Sequence, residues 1–359
     1  MKHSTLRREN SNTSEIYNPS LNDTEQKVIN QTIQLSNASS FHVHPQSITN
    51  LFIGLKSRPL TLLVGPSNTG KIASVKNLAK GLIGDDPLRC QMMDGHSWWA
   101  NQCTDTVQFT EAQTRWNSDK IFELIQEASL PENAQKIYMA CLTRISPAEL
   151  NEFFSEVAFQ LQHDQIMRIA SIHLSEPIPF PRNFFLIGTM DINQFKWLSD
   201  DLISKTSLIH WTSDDSISTN LSTGKDNIDN GEKAFLRSCL RNLQAAIQKL
   251  YTLLRSQRET FFPLFQTSRV LQKHKILVPN SMFHSAMVYI ANSWSAKGTG
   301  LFSLNTSTNL DIALDHAIAQ TYLLPIEDKL VDSAVLRKNL QSILNDRFPR
   351  SSDLVRCMG

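Results

Sequence analysis

Eight consecutive residues near position 65 have the types and the spacing that bind phosphate. They are Gly65, Pro66, Ser67, Asn68, Thr69, Gly70, Lys71 and Ile72. The first seven satisfy the GxxxxGK pattern, in which backbone N–H groups surround a phosphate at a helix N-terminus and the lysine reaches the outer phosphates. The next position normally carries a Ser or Thr hydroxyl that holds Mg²⁺, whereas Ile72 offers no oxygen. The run therefore predicts an anion-binding loop that holds a metal ion weakly or not at all.

The chain around this run has the order of elements that a phosphate loop requires. Residues 60 to 64 are a short apolar run that predicts a buried strand, and the spacing of residues 71 to 82 predicts a helix. A glycine-rich turn can also join a strand to a helix without binding any ligand. The flanking elements favour the anion-binding loop over this alternative.

Further apolar runs extend the strand and helix pattern. Strands are predicted at residues 89 to 93, 136 to 142 and 183 to 189, and helices at 24 to 35, 45 to 55, 119 to 128 and 147 to 162. Alternating strands and helices are typical of a parallel sheet that is covered on both faces. The predicted fold class is therefore α/β.

Composition divides the chain into four segments. Residues 1 to 22 are polar and predict a disordered arm, and residues 23 to 211 form the α/β domain. Residues 212 to 232 are again polar and predict a flexible linker or loop. Residues 233 to 359 have helical apolar spacing, which predicts a helical second domain.

The composition also narrows the classes of protein to which the chain can belong. Of its 359 residues, 41% are hydrophobic, and the formal net charge of +1 gives no overall field that attracts nucleic acid or an anionic membrane. The five cysteines show no zinc-site spacing, and no apolar run approaches the ~20 residues of a membrane helix. We expect a cytoplasmic protein without a signal peptide or a metal site, in which Lys56 and Arg58 are solvated.

Several further motifs resemble the McrB-like branch of the AAA+ proteins. Residues 41 to 71 are similar to the opening of that branch, and Asp94-Gly95-His96-Ser97-Trp98-Trp99 lies where it has a tryptophan-containing segment. Phe185-Leu186-Ile187-Gly188-Thr189-Met190-Asp191 resembles the strand that ends in Gly-Thr-Met-Asn and carries the sensor-1 residue. Residues 198 to 205 resemble the arginine-finger segment, and residues 313 to 325 and 348 to 351 resemble the helical lid.

The positions that carry hydrolysis in that family are altered here. Alignment with the Walker-B strand puts Thr143 and Arg144 where the family has Asp and Glu. In a working site the aspartate holds Mg²⁺ and the glutamate orients the attacking water, which neither Thr nor a permanently protonated Arg can do. Asp191 replaces the sensor-1 asparagine and Lys205 replaces the finger arginine. We therefore assign no catalytic residue and expect little or no hydrolysis.

The resemblance implies a fold, a ligand and a setting. The fold is an AAA+-type three-layer parallel sheet with a phosphate loop, followed by a helical lid domain. The ligand is ATP or GTP, with Mg²⁺ weak or absent. The setting is a homo- or hetero-oligomer with AAA+ relatives, as a ring or complex component in a restriction or defence-type assembly with a nuclease partner; DNA contact stays open, and no membrane is involved.

Two alternatives to this interpretation remain. One is an active GTPase or ATPase motor subunit of the same family, and the other is a scaffold that binds no nucleotide.

Because the Walker-B and sensor-1 strands are neighbours in this fold, we also expect Arg144 to form an ion pair with Asp191, or to neutralise phosphate directly.

Overall fold

The computed structural model describes residues 23–38, 43–94, 120–145, 158–161, 167–170, 178–191, 206–211, 231–255 and 258–357. The predicted arm at residues 1 to 22 lies outside these ranges. So do Lys205, residues 95 to 99 of the tryptophan-containing segment, and all but the last two residues of the predicted linker.

The strands are the elements that the sequence pattern predicts best. In chain order, β1 to β8 lie at Leu60–Val64, Cys90–Asp94, Tyr138–Thr143, Ala158–Leu161, Met167–Ala170, Ile178–Pro179, Phe184–Met190 and Ser207–His210. Five of them form a parallel sheet in the order β2-β3-β7-β1-β8. Every residue of β1, β3 and β7 is buried, which explains why these strands are continuous apolar runs in the sequence. The predicted α/β class is confirmed.

A second, smaller sheet corrects one prediction. Strands β4, β5 and β6 pair antiparallel in that order. The helix predicted at residues 147 to 162 is therefore wrong at its end, because Ala158–Leu161 is a strand paired with Met167–Ala170. Residues 146 to 157 lie outside the described ranges. The partner strand supplies backbone hydrogen bonds that a local apolar pattern does not reveal.

Three helices and the helical residues 120 to 129 accompany the large sheet. They are α1 (Thr24–Asn37), α2 (Pro45–Ser57) and α3 (Lys71–Ile83). Helix α1 packs on α3, and α2 packs against β1 and β8. His44 has a structural role here, since its Nδ1 accepts the Gln46 N–H at 3.2 Å and caps α2.

The chain from residue 231 onward is helical, as predicted. Helices α4 to α11 lie at Gly231–Ser238, Leu243–Leu254, Phe262–Lys273, Asn280–Asn292, Thr306–Ile318, Glu327–Asp332, Ala334–Leu344 and Pro349–Cys357. Because α4 begins at Gly231, the last two residues of the predicted linker are helical. A π-helical turn follows α8 just before Pro325, which has no N–H to continue the helix. In the part of the chain that the structure describes, no helix combines the length and the apolar character needed to cross a bilayer.

A buried ion pair ties α1 and α2 to the helical region. Lys56 Nζ lies 2.8 Å from Glu25 Oε1, and the two side chains are 0% and 2% exposed. Lys56 also donates to the carbonyl oxygens of Asn292 and Trp294, each at 3.1 Å. Glu25 Oε1 accepts from Ser238 Oγ at 2.7 Å. These bonds connect α2 to the end of α7 and α1 to the end of α4.

The expectation that Lys56 and Arg58 are solvated is wrong. Lys56 is buried in the network just described, and Arg58 is half-buried and donates to Ser285 Oγ on α7. Burial lowers the pKa of Arg58 to about 10. The sequence around these residues does not reveal that a helix more than 200 residues downstream covers them.

Candidate phosphate-binding site

The GxxxxGK residues form the turn between β1 and α3. Asn68 and Gly70 adopt left-handed backbone conformations, with φ of 61° and 81°. Gly70 is the N-cap of α3 and makes no side-chain capping bond. A helix N-terminus whose cap offers no side-chain oxygen is the arrangement in which a phosphate accepts the first-turn N–H groups. The turn therefore has the backbone geometry of a candidate anion site.

Trp211, directly after β8, forms the wall of this turn. Its backbone N–H donates to Val64 O at 2.7 Å, and its buried indole Nε1 donates to Thr69 O at 2.9 Å. A Cβ added at Gly65 would lie 1.9 Å from Trp211 O, so only glycine fits at the start of the turn. Sequence analysis missed Trp211, since only the pairing of β8 with β1 brings it to the turn.

Lys71 folds over the turn that precedes it. Its Nζ donates to Gly65 O at 2.7 Å and to Pro66 O at 2.5 Å, and lies 3.4 Å from Thr69 Oγ1. Burial lowers the pKa of Lys71 to about 8, and the negative charge of Asp191 opposes this shift. The ammonium is thus a poorly solvated cation that a phosphate would stabilise.

Asp191, at the end of β7, reaches the same turn. Ser67 Oγ donates to Asp191 Oδ2 at 2.8 Å. The two residues meet because β7 is the direct neighbour of β1, with Met190 opposite Val64. Sequence analysis identified Asp191 as a replacement for the sensor-1 asparagine. It did not reveal that the Asp191 carboxylate contacts the phosphate loop.

Thr143 and Arg144 make hydrogen bonds at the end of β3. Thr143 Oγ1 donates to Asp94 Oδ1 at 2.5 Å, across the β2–β3 pairing. The Arg144 backbone, with φ of 55°, donates its N–H to Thr189 Oγ1 at 2.8 Å. The ion pairs within 4.0 Å among the described residues do not include Arg144 with Asp191, so that expected pair is not observed.

A positive charge from the helical region acts on the β8 side of the turn. Arg350, in the first turn of α11, and burial together lower the pKa of His210 to about 4, with burial the larger cause. His210 immediately precedes Trp211. The start of α11 is fixed by Asp315, which accepts the N–H groups of Arg350 and Ser351 at 2.9 and 2.8 Å. Sequence analysis grouped Arg350 with the lid but gave it no role.

The described residues contain no metal site of the usual kind. No group of three or more His, Cys, Asp or Glu side chains within them could hold a metal ion. At the phosphate loop, Ile72 has no oxygen and the Thr143 hydroxyl donates to Asp94. These residues do not fit the magnesium site of a hydrolysing phosphate loop.

Comparison with protein families and curated proteins identifies no relative of this chain. The sequence matches no protein-family model, and it has no significant match among curated proteins.

Proposed function

We propose that the chain is a nucleotide-binding module of the AAA+ type, similar to the McrB-like branch, that binds ATP, GTP or their diphosphates and hydrolyses little or nothing. One observation carries the proposal. The GxxxxGK turn joins a fully buried interior strand of the large sheet to a helix, and Lys71 lies over the turn with a pKa lowered to about 8. A buried cation beside an uncapped helix N-terminus gains most from a bound phosphate.

The neighbouring strands support the AAA+ assignment. The resemblance requires the Walker-B-like strand to lie beside the strand ending in Gly-Thr-Met-Asp, and β3 and β7 are hydrogen-bonded neighbours. It also requires a helical region after the sheet, and α4 to α11 follow it. The β7–β1 pairing then brings the sensor-1 position against the phosphate loop.

The side chains beside the loop support a site that binds but does not turn over. Hydrolysis needs a carboxylate to orient water and oxygens to hold Mg²⁺. Thr143 has its hydroxyl bonded to Asp94, and Arg144 stays protonated. The role that the resemblance implies is a cytoplasmic ring or complex component of a restriction or defence-type assembly, with AAA+ relatives and a nuclease as partners.

Equilibrium binding tests this proposal against a scaffold role. Fluorescently labelled ATP and GTP are titrated with the full chain, and Lys71→Ala should weaken binding at least about tenfold. Lys80→Ala is the matched control, because Lys80 lies on the same helix in an exposed pair with Asp85. Equal, weak signals from all three proteins would favour the scaffold.

Phosphate release tests the second alternative, an active motor subunit. The purified chain with Mg²⁺ and ATP or GTP should release phosphate no faster than its Lys71→Ala variant. Magnesium-dependent release that the Lys71→Ala change abolishes would identify an active enzyme.

A further inference from the structure

One face of α6 is exposed and carries aromatic rings followed by cations. Phe262 and Phe265 lie at the start of the helix and are 57% and 52% exposed. With about 3.6 residues per turn, Arg269 and Lys273 lie on the same side of the helix as the two rings, and both are exposed. The opposite side of α6 is buried against the rest of the protein. The four exposed side chains therefore contribute little to the core.

A third ring extends the aromatic end of this face. Phe283, on α7, is half-buried and packs against Phe265, with ring centroids 5.2 Å apart and ring planes inclined by 32°. This contact restrains Phe265 on one side, while about half of the residue's surface stays open to solvent. Aromatic rings that are restrained and still exposed are suited to stack on the planar groups of a ligand.

The cations of this face have no carboxylate partner among the described residues. The ion pairs within 4.0 Å in the described ranges include neither Arg269 nor Lys273, nor the exposed Lys275 that follows the helix. Residues 255 to 284 contain five lysines and arginines against one acidic residue, whereas the whole chain has a formal net charge of only +1. The positive charge is therefore concentrated in this segment, where it complements a polyanion.

We propose that the exposed face of α6, formed by Phe262, Phe265, Arg269 and Lys273 together with Phe283 of α7, binds single-stranded nucleic acid. The rings stack on bases, and the cations, about 6 Å apart along the helix axis, lie beside the phosphates. Sites for single strands combine cations that follow the backbone with aromatic side chains on which bases stack. This inference goes beyond the proposed function, because none of these residues belongs to the phosphate loop.

The distribution of side chains on α6 favours a single strand over two other polyanionic surfaces. In a duplex the base faces are covered by their neighbours, so the rings would have nothing on which to stack. A helix that binds a membrane surface presents apolar side chains along its length, whereas the exposed rings of α6 are confined to its start.

Fluorescence anisotropy tests the proposal with the full chain and a fluorescein-labelled oligothymidylate, compared with a labelled duplex of equal length. The single strand should bind at least about fivefold more tightly than the duplex. Phe262→Leu combined with Phe265→Leu keeps apolar side chains but removes the aromatic faces. This variant should bind the single strand at least about fivefold more weakly, with an unchanged dependence on salt.

Arg269→Gln combined with Lys273→Gln tests the cations. The slope of log affinity against log salt concentration should become shallower by about 1.4, because each phosphate contact on a single strand contributes about 0.7. Lys233→Gln combined with Arg237→Gln is the matched control, since it removes an exposed lysine and an exposed arginine at the same spacing from α4. The control should leave the slope nearly unchanged, and Lys71→Ala should not alter oligothymidylate binding.

Several results would overturn the inference. They are the absence of single-strand binding at low salt, duplex binding as tight as single-strand binding, and an equal loss of slope in the α4 control. Phosphatidylserine vesicles that bind the wild type and the leucine variant equally, without oligothymidylate binding, would identify a membrane-binding face instead. The ratio of single-strand to duplex affinity in the wild type tests the inference by itself if a variant fails to fold. None of these results bears on nucleotide binding at Lys71.

Discussion

Gly65 begins the phosphate loop in a space that no side chain can enter. An alanine Cβ there would lie 1.9 Å from the backbone oxygen of Trp211, which cannot move without shifting the end of β8. Gly65→Ala should therefore lower the free energy of unfolding by about 2 to 3 kcal/mol, as overpacking does elsewhere. Urea denaturation of both proteins measures this difference.

Gly81→Ala is the control for this prediction. The Cβ at Gly81 would lie 2.7 Å from Thr32 Oγ1, a side-chain atom rather than a backbone atom, and alanine favours the helix by about 1 kcal/mol. The loss of stability should therefore be smaller than that of Gly65→Ala. Equal losses in the free energy of unfolding for the two variants would show that the backbone at Trp211 shifts at little cost.

Under the proposed function, the buried ammonium of Lys71 should make nucleotide affinity depend on pH. Its pKa is lowered to about 8 by burial, and a bound phosphate favours the charged form. As the pH rises above 8, the unliganded site loses the proton that binding needs, so the dissociation constant should rise about tenfold per pH unit until the pKa of the complex is reached. Nucleotide titrations between roughly pH 7.5 and 9.5 measure this dissociation constant. The phosphates themselves stay ionised throughout that range.

Lys71→Arg is the comparison for the pH series. Arginine stays protonated throughout this range, so any binding by that variant should be nearly independent of pH. A parallel rise in the two dissociation constants would place the titrating group elsewhere.

At this scale, the sequence reveals the motif but not its surroundings. The spacing from Gly65 to Lys71 is local and can be read directly. Asp191 and Trp211 lie more than 100 residues away, and only strand pairing brings them to the loop. The ion pair expected between Arg144 and Asp191 is not among the ion pairs of the described residues, although β3 and β7 are neighbours, as that expectation requires.

Among the elements, predictability follows burial. Strands β1, β3 and β7 are buried along their whole length, so their sequences are apolar runs that stand out. Strand β8 is only Ser207–His210, with polar residues at both ends, and its place in the sheet comes from pairing with β1. Residues 158 to 161 fit a helical pattern in the sequence. They form a strand because residues 167 to 170 pair with them.

The ion pair between α1 and α2 gives a prediction at this scale. Lys56→Met leaves the Glu25 carboxylate buried beside Ser238 without its cation. The loss of one partner from a buried pair costs about 3 to 5 kcal/mol. We expect a loss of that size in guanidinium denaturation, and a double change of Glu25→Gln with Lys56→Met should lose less than the two single changes added together.

A surface pair provides the control. Lys80 and Asp85 also lie 2.8 Å apart, but their side chains are 47% and 76% exposed. Lys80→Ala should change stability by less than about 1 kcal/mol. A Lys56→Met variant as mild as this one would contradict the structural role of the buried pair.

Across the whole molecule, one buried apolar cluster runs from α1 through the large sheet to α11. It includes Val28 and Ile29 near one end and Val355 near the other. The bonds of Lys56 to Asn292 and Trp294 link the sheet side of this cluster to its helical side. The α/β domain predicted up to residue 211 and the helical domain predicted from residue 233 are thus joined by buried polar contacts.

This sharing predicts cooperative unfolding. Intrinsic tryptophan fluorescence and far-UV circular dichroism should follow a single, coincident transition in urea. A nucleotide at about 100 times its dissociation constant should raise the free energy of unfolding by about 2.7 kcal/mol for the whole chain. Two separated transitions, with only the first shifted by nucleotide, would show that the two sides unfold independently.

The position of Trp211 has a consequence for synthesis. The chain leaves the ribosome from its N-terminus, and domains generally fold as they emerge. A nascent chain that has emerged only as far as β7 carries every residue from Gly65 to Lys71, but not the backbone and indole of Trp211 that hold the turn in place. The growing polypeptide should therefore acquire the proposed anion affinity late, only once β8 has docked.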